Sequence, residues 1–185
     1  MRKEWVPSGM TAKLSGGSKR AAKQHYAWGE FLLGTLYKTG RGVEANLAEA
    51  AKWYRKAAEQ GLSLAQNNLG AAYANGEGVE RNFSEAVKWL RLAADQGVED
   101  ARFNLAINYS GAQHDPPNYG EAYFWALVAE HNVDPSVPRV SQELLKELRE
   151  HVAPEEAERA EKRAQDWIEK QHIAADVNPW KWKGD

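Results

Sequence analysis

Residues 69–97 read LGAAYANGEGVERNFSEAVKWLRLAADQG, and this stretch decides the architecture. Ala65, Leu69, Ala72 and Tyr73 recur at helical spacing and make one apolar face. The pattern stops at Asn75-Gly76-Glu77-Gly78-Val79, where glycine admits positive φ and lets the chain turn. Asn82 followed by Glu85 resembles a capping box. The Asn oxygen and the Glu carboxylate are each expected to accept an unpaired backbone N–H at a helix start. Ala86, Trp89, Leu90, Ala93 and Ala94 form the stripe of that second helix, and Gln96-Gly97 ends it. The unit is a helix hairpin.

The same unit stands on either side. Leu33, Leu69 and Leu105 are separated by steps of 36 residues. Tyr37, Tyr73 and Tyr109 keep that step, as do Asn46, Asn82 and Asn118, and Glu49, Glu85 and Glu121. So do Ala50, Ala86 and Ala122, then Trp53, Trp89 and Trp125, then Ala57, Ala93 and Ala129. Agreement at seven positions over three copies, without insertion or deletion, is the mark of stacked units. One hairpin cannot bury both its faces. Stacking covers them, with alanines admitting close helix approach and Trp and Tyr filling the gaps. The expected fold is all-α, a right-handed α-α superhelix: a short solenoid of about three 36-residue helix hairpins with C-terminal capping helices. The hairpins are expected at residues 27–63, 64–99 and 100–132.

Leu69-Gly70-Ala71-Ala72-Tyr73-Ala74-Asn75-Gly76-Glu77-Gly78-Val79 and Glu85-Ala86-Val87-Lys88-Trp89-Leu90-Arg91-Leu92-Ala93-Ala94-Asp95-Gln96-Gly97 resemble the Sel-one-like repeat (SLR), a variant of the tetratricopeptide hairpin with a glycine-rich loop. Leu33-Gly34, Tyr37, Gly40-Arg41-Gly42-Val43, Ala50, Trp53-Tyr54, Ala57-Ala58 and Gly61 match as well. The third copy departs, with Gly111-Ala112-Gln113-His114-Asp115-Pro116-Pro117 in place of the loop and Val133 in place of the closing glycine. The resemblance implies an adaptor or scaffold role, often in bacterial signalling, envelope regulation or complex assembly.

At the N-terminal end, Ala21-Ala22-Lys23-Gln24 echoes Ala57-Ala58-Glu59-Gln60. Residues 18–26 are therefore expected to be a degenerate, helical half-repeat that caps the stack. Residues 1–17, with Pro7 and Gly16-Gly17, lack periodicity and are expected to be flexible. At the other end, Val140, Leu144, Leu145 and Leu148 form a helix stripe. Pro154 suits the first turn of a further helix with Ala157, Ala160, Ala164, Trp167 and Ile168 on its apolar face. Residues 133–175 are thus expected to be capping helices. The tail 176–185 carries Trp180 and Trp182, for which folding back on the stack, partner binding and looseness all stay open.

Repeat-constrained positions face the core, so the freely varying positions of each first helix indicate the inner surface. In stacks of this kind the first helices line the concave side. The candidate partner-binding residues are Phe31, Lys38, Asn67, Ala71, Phe103 and Ile107, with Thr35, Ala74 and Ser110 at equivalent places and Trp28 and Leu64 at the edge. Apolar anchors around an amide suit an extended peptide or a partner helix, because Asn67 offers both a donor and an acceptor. Lys38 is a candidate carboxylate contact. The competing expectation is that Phe31 and Phe103 pack between hairpins or under the terminal helices.

Composition excludes several other functions. Lys and Arg total 24 against 26 Asp and Glu, so the basic excess of a nucleic-acid binder is missing and no nucleic-acid partner is expected. The chain has no cysteine, which removes disulfides and cysteine-ligated metals. His25, His114, His131, His151 and His172 show no metal-ligand spacing, and no nucleophile elbow or phosphate loop is present. No catalytic residue, cofactor or metal is therefore expected. No segment is apolar enough to enter a membrane. The expected location is cytoplasmic, or periplasmic if the chain is a piece of an exported protein. The expected function is a non-catalytic protein-interaction adaptor or scaffold, monomeric rather than an obligate oligomer. The alternatives are an envelope-associated binder of cell wall or small ligands, and a structural subunit of a larger complex.

Overall fold

Asn46, Asn82 and Asn118 set the period of the fold, because each starts a second helix and closes the loop before it. The structure, a computed structural model, describes residues 16–112, 116–131 and 140–176, with side chains over 26–111, 116–131 and 143–171. The described residues form α1 (Gly16–Thr39), α2 (Leu47–Glu59), α3 (Ser63–Asn75), α4 (Phe83–Asp95), α5 (Glu99–Ile107), α6 (Tyr119–Glu130), α7 (Val140–His151) and α8 (Pro154–Asp176), with no strand. A π-helical turn, Asn108–Ala112, follows α5.

The main-chain N–H of each capping Asn donates to a tyrosine carbonyl nine residues earlier: Asn46 to Tyr37 at 2.9 Å, Asn82 to Tyr73 at 3.0 Å and Asn118 to Tyr109 at 2.9 Å. Each Asn Oδ1 accepts from the N–H of Glu49, Glu85 or Glu121, at 3.1, 3.0 and 3.0 Å. Only half of the expected capping box therefore forms. The Asn N–H is already satisfied by the tyrosine, so the Glu carboxylates turn outward. Glu49 takes Lys52, Glu85 takes Lys88 and the Trp89 indole, and Glu121 takes Arg91 and Arg163. The third copy keeps this loop closure although its loop has lost the repeat's pattern, with Gly111 at φ 106° carrying the turn.

Consecutive hairpins α1–α2, α3–α4 and α5–α6 pack side by side, through α2 on α3 and α4 on α5. Inside a hairpin, Gly70 brings α3 onto α4: a Cβ there would stand 2.6 Å from the Leu90 side chain. Between hairpins, Arg55 donates to the Tyr73 hydroxyl with its guanidinium 5.5 Å from the ring centre, and Arg91 bonds Tyr109 in the same way. The loop after α3 rests on the start of α2, where Gly78 leaves no room for a side chain against the Leu47 carbonyl.

A polar ladder runs through the stack at positions separated by 36 residues. The Gln60 amide donates to the buried Glu30 carboxylate. Gln96 donates to Gln66 Oε1 at 2.7 Å, and Gln66 Nε2 reaches back to the Ala58 carbonyl at 3.2 Å. The third rung is Arg102, buried with its guanidinium 4.9 Å from the Trp167 ring of α8. Burial holds the Glu30 carboxyl above its usual range, a rise that Lys56 and Gln60 partly offset.

At the C-terminal end α7 and α8 pack on α6. Leu148, Val152, Ala157, Ala160 and Ala164 are buried there, with Leu144, Leu145 and Trp167 packed against them. Tyr123 Oη donates to Glu161 at 3.1 Å, and Tyr119 stacks on His151 at 4.8 Å. At the N-terminal end α1 runs unbroken from Gly16, so residues 18–26 extend the first helix and are not the end of a separate one. The reason is a missing stop. Gly61 and Gly97 take φ of 92° and 89° just after the C-caps Gln60 and Gln96, whereas His25 follows Gln24. Residues 1–15, the tail 177–185, and the His114-Asp115 and Val133 positions lie outside the described residues. Among the described residues no helix is long and apolar enough to cross a membrane, and no cluster of His, Asp and Glu has the make-up of a metal site.

Candidate partner-binding surface

α3 and α5, the first helices of neighbouring hairpins, touch each other directly. Phe31, Asn67 and Phe103 occupy equivalent places on α1, α3 and α5, and Thr35, Ala71 and Ile107 follow one turn later. All of them are partly buried except Asn67, which is buried.

Their environments differ. Phe31 packs on the core, with Trp28 edge-on at 5.5 Å and Tyr54 at 5.8 Å. Its ring is thus half committed to holding α1 on α2. Phe103 and Ile107 stand outside both packed clusters of the described residues. Asn67 is bridged to the next repeat, because Asn104 Nδ2 donates to its Oδ1 at 3.0 Å. The bridge leaves Asn67 Nδ2 and Asn104 Oδ1 with no hydrogen bond among the described residues. Lys38 lies at the end of α1 and pairs with Glu77 at 3.0 Å, so it joins the first two repeats. That contact draws the Glu77 carboxyl below its usual range, mainly through the hydrogen bond from Lys38. Trp28 and Leu64, at the expected edge, are exposed.

Two features escaped the sequence reading. Asn104 is the partner of Asn67, although it stands at the next position along from Phe103 and not at the equivalent one. The clue was the run Asn104 and Asn108, polar at positions where α1 has Leu32 and Leu36. The second is a cavity of about 670 Å³ between α6 and α8, floored by Leu127, Ala164 and Ile168 and edged by Glu161 and Glu169. It lies between the second helix of the third repeat and α8, away from the first helices.

The arrangement offers apolar rings, amides and a surface spanning adjacent repeats.

No curated protein matches the chain at a significant level. Among solved structures, a Sel1 repeat protein from Oxalobacter formigenes is 39% identical over 62% of this chain and 45% of its own, with a TM-score of 0.53. The protective antigen c5321 of uropathogenic Escherichia coli strains, which displays an SLR fold, covers 96% of this chain and 46% of its own at 23% identity, with a TM-score of 0.61. At that identity it speaks for the fold alone. The chain spans under half the length of these two structures, 45% and 46%. Proteins built of such repeats generally mediate protein–protein interaction, and their solenoids are typically non-catalytic. The Sel1 repeat profile matches residues 29–62, 63–98 and 99–129, which follow the three hairpins, and the chain belongs to the Sel1 repeat family.

Proposed function

We propose that this chain is a non-catalytic adaptor that holds an extended segment of a partner protein on the inner layer of its repeats, against Phe31, Asn67, Ala71, Phe103 and Ile107. The observation that carries the reading is the Asn67–Asn104 bridge. It fixes two side-chain amides across a repeat boundary and leaves the Asn67 amino group and the Asn104 carbonyl oxygen uncommitted. A peptide bond presents the complementary pair. Phe103 and Ile107, outside the packed clusters, flank these amides as apolar anchors. Phe31 contributes an edge because its other face serves the core. Lys38 serves as a carboxylate contact when Glu77 yields it, and that pair is partly exposed and therefore weak.

The test is selection of peptides from a displayed library on the immobilised protein, followed by calorimetry on the selected sequence. Phe103→Ala combined with Asn67→Ala is expected to weaken binding roughly thirtyfold or more, the loss of a hot spot of about 2 kcal/mol. The thermal transition should persist in the double variant. Unchanged affinity in a folded double variant would reject this surface.

A further inference from the structure

We infer that the cavity between α6 and α8 is a docking site for residues 177–185 of this same chain, held through the indole of Trp182 and the ammonium group of Lys181. This goes beyond the adaptor reading, because the cavity stands apart from the first helices and either site can fail without the other.

The cavity has two kinds of wall. Ala157, Ala160 and Ala164 are small and buried, and they let α8 approach α6 closely. Beyond them a space of about 670 Å³ opens, a volume typical of a binding site. Its floor is apolar, made by buried Ala164 with half-buried Leu127 and Ile168. Its rim carries the exposed carboxylates of Glu161 and Glu169, and no lysine or arginine lines it among the described residues. Tyr123 Oη donates to Glu161 at 3.1 Å and Gln165 Nε2 donates to Glu169 at 3.3 Å. Both donors are uncharged, so the negative charge of the rim stays uncompensated by them. Such a cavity selects an apolar group that brings positive charge with it.

The segment after α8 has that chemistry. Residues 177–185 read VNPWKWKGD, and Trp180-Lys181-Trp182-Lys183 alternates aromatic with basic residues. Alternate side chains of an extended segment take opposite sides. Indoles set on the floor therefore leave the ammonium groups at the level of the rim. A tryptophan also offers the largest apolar surface of any side chain for covering Leu127 and Ile168.

The chain is long enough to return. Asn178-Pro179 is a turn signal, since proline turns the residue before it away from helix. Ile168 stands eight residues before Asp176, about 12 Å along α8. Trp182 stands six residues after Asp176 and can span about 20 Å, which covers that distance with room for the turn. Lys181 needs about 10 Å to come level with Glu169 and can span about 17 Å. A tether this short keeps the segment at millimolar effective concentration, so a contact of modest affinity stays occupied. The connector 132–139 also begins beside the cavity, after His131. It is the poorer occupant, because it carries no aromatic residue and brings Asp134 toward an acidic rim.

Hydroxyl-radical footprinting of the full chain, read at each tryptophan by mass spectrometry, tests the docking. Trp182 should oxidise at least about fivefold more slowly in the chain than in a synthetic peptide of residues 177–185. Glu169→Lys, at an exposed position outside the packed clusters, should speed that oxidation about threefold. Adding Lys181→Glu to Glu169→Lys should restore the protection by reversing both charges. Asn67→Ala with Phe103→Ala should leave the footprint unchanged, which separates this site from the inner surface. Oxidation of Trp182 at the rate of the free peptide would overturn the inference. Protection indifferent to the charge reversal would place the segment elsewhere and overturn the site. Protection that disappears on dilution would give the cavity to the segment of another copy and overturn docking within one chain.

Discussion

At the C-terminal end of the stack, Leu148 of α7 is 1% exposed in the cluster that α6, α7 and α8 share, while at the N-terminal end Leu32 and Leu36 of α1 are exposed. Leu32 and Leu36 belong to the first hairpin of the 36-residue step, whereas Leu148 belongs to a helix added after the third. The difference is made by neighbours. In a linear repeat protein each unit contacts only the next, so an equivalent residue changes environment when one neighbour is removed. The loop glycines make the same point. A side chain at Gly78 would overlap the Leu47 backbone of the preceding repeat, whereas around Gly42 there is open space.

The largest effect that sharpens this contrast belongs to Gly78→Ala. It combines a left-handed backbone at φ 74° with a clash against the Leu47 backbone and should cost about 4 kcal/mol by chemical unfolding. Gly42→Ala shares the backbone strain at φ 75° without the clash and should cost about 1–2 kcal/mol. Equal costs would break the distinction between an end repeat and an inner one. Next comes Leu148→Ala, expected to lose about 3 kcal/mol and to release α7 and α8 from α6, read by denaturant melts and near-ultraviolet circular dichroism. Leu36→Ala, at the partly exposed end, should stay within about 0.5 kcal/mol. Asn118→Ala should cost about 1 kcal/mol through loss of the cap on the Glu121 N–H.

The smallest effect concerns the polar ladder. Because burial raises the Glu30 carboxyl, folding binds a proton more tightly there. The group therefore favours the fold below its unfolded range, and that contribution is lost as pH rises through the folded value. Glu30→Gln, which copies the second rung, should raise Tm relative to the parent at pH 7 and converge with it near pH 4. A constant difference across that range would remove Glu30 titration as the cause.

The hairpins, their order and their capping residues were legible because the repeat ties several positions to one step. Asn46, Asn82 and Asn118 cap three helices in the structure as their spacing required. The apolar stripes of α7 and α8 were legible in the same way, through Leu148 and through Ala157, Ala160 and Ala164. What escaped was decided by competition between groups. The Glu of each capping box lost its backbone partner to a tyrosine carbonyl, a contact that depends on how the loop closes. Glu30, Gln66 and Arg102 differ in type, so their shared step is visible only when polar positions are aligned as carefully as apolar ones. On the inner surface, the sequence separates constrained from free positions, yet it cannot tell that Phe31 leans on Tyr54 while Phe103 stays outside the packed clusters.

The central claim is that the first helices receive the partner. Amide-resolved NMR titration with a library-selected peptide tests it most directly. The account predicts shifts concentrated at Asn67, Ala71, Phe103, Asn104 and Ile107, saturating with the calorimetric affinity. Shifts confined to α2 and α4, or to the cavity between α6 and α8, would contradict it.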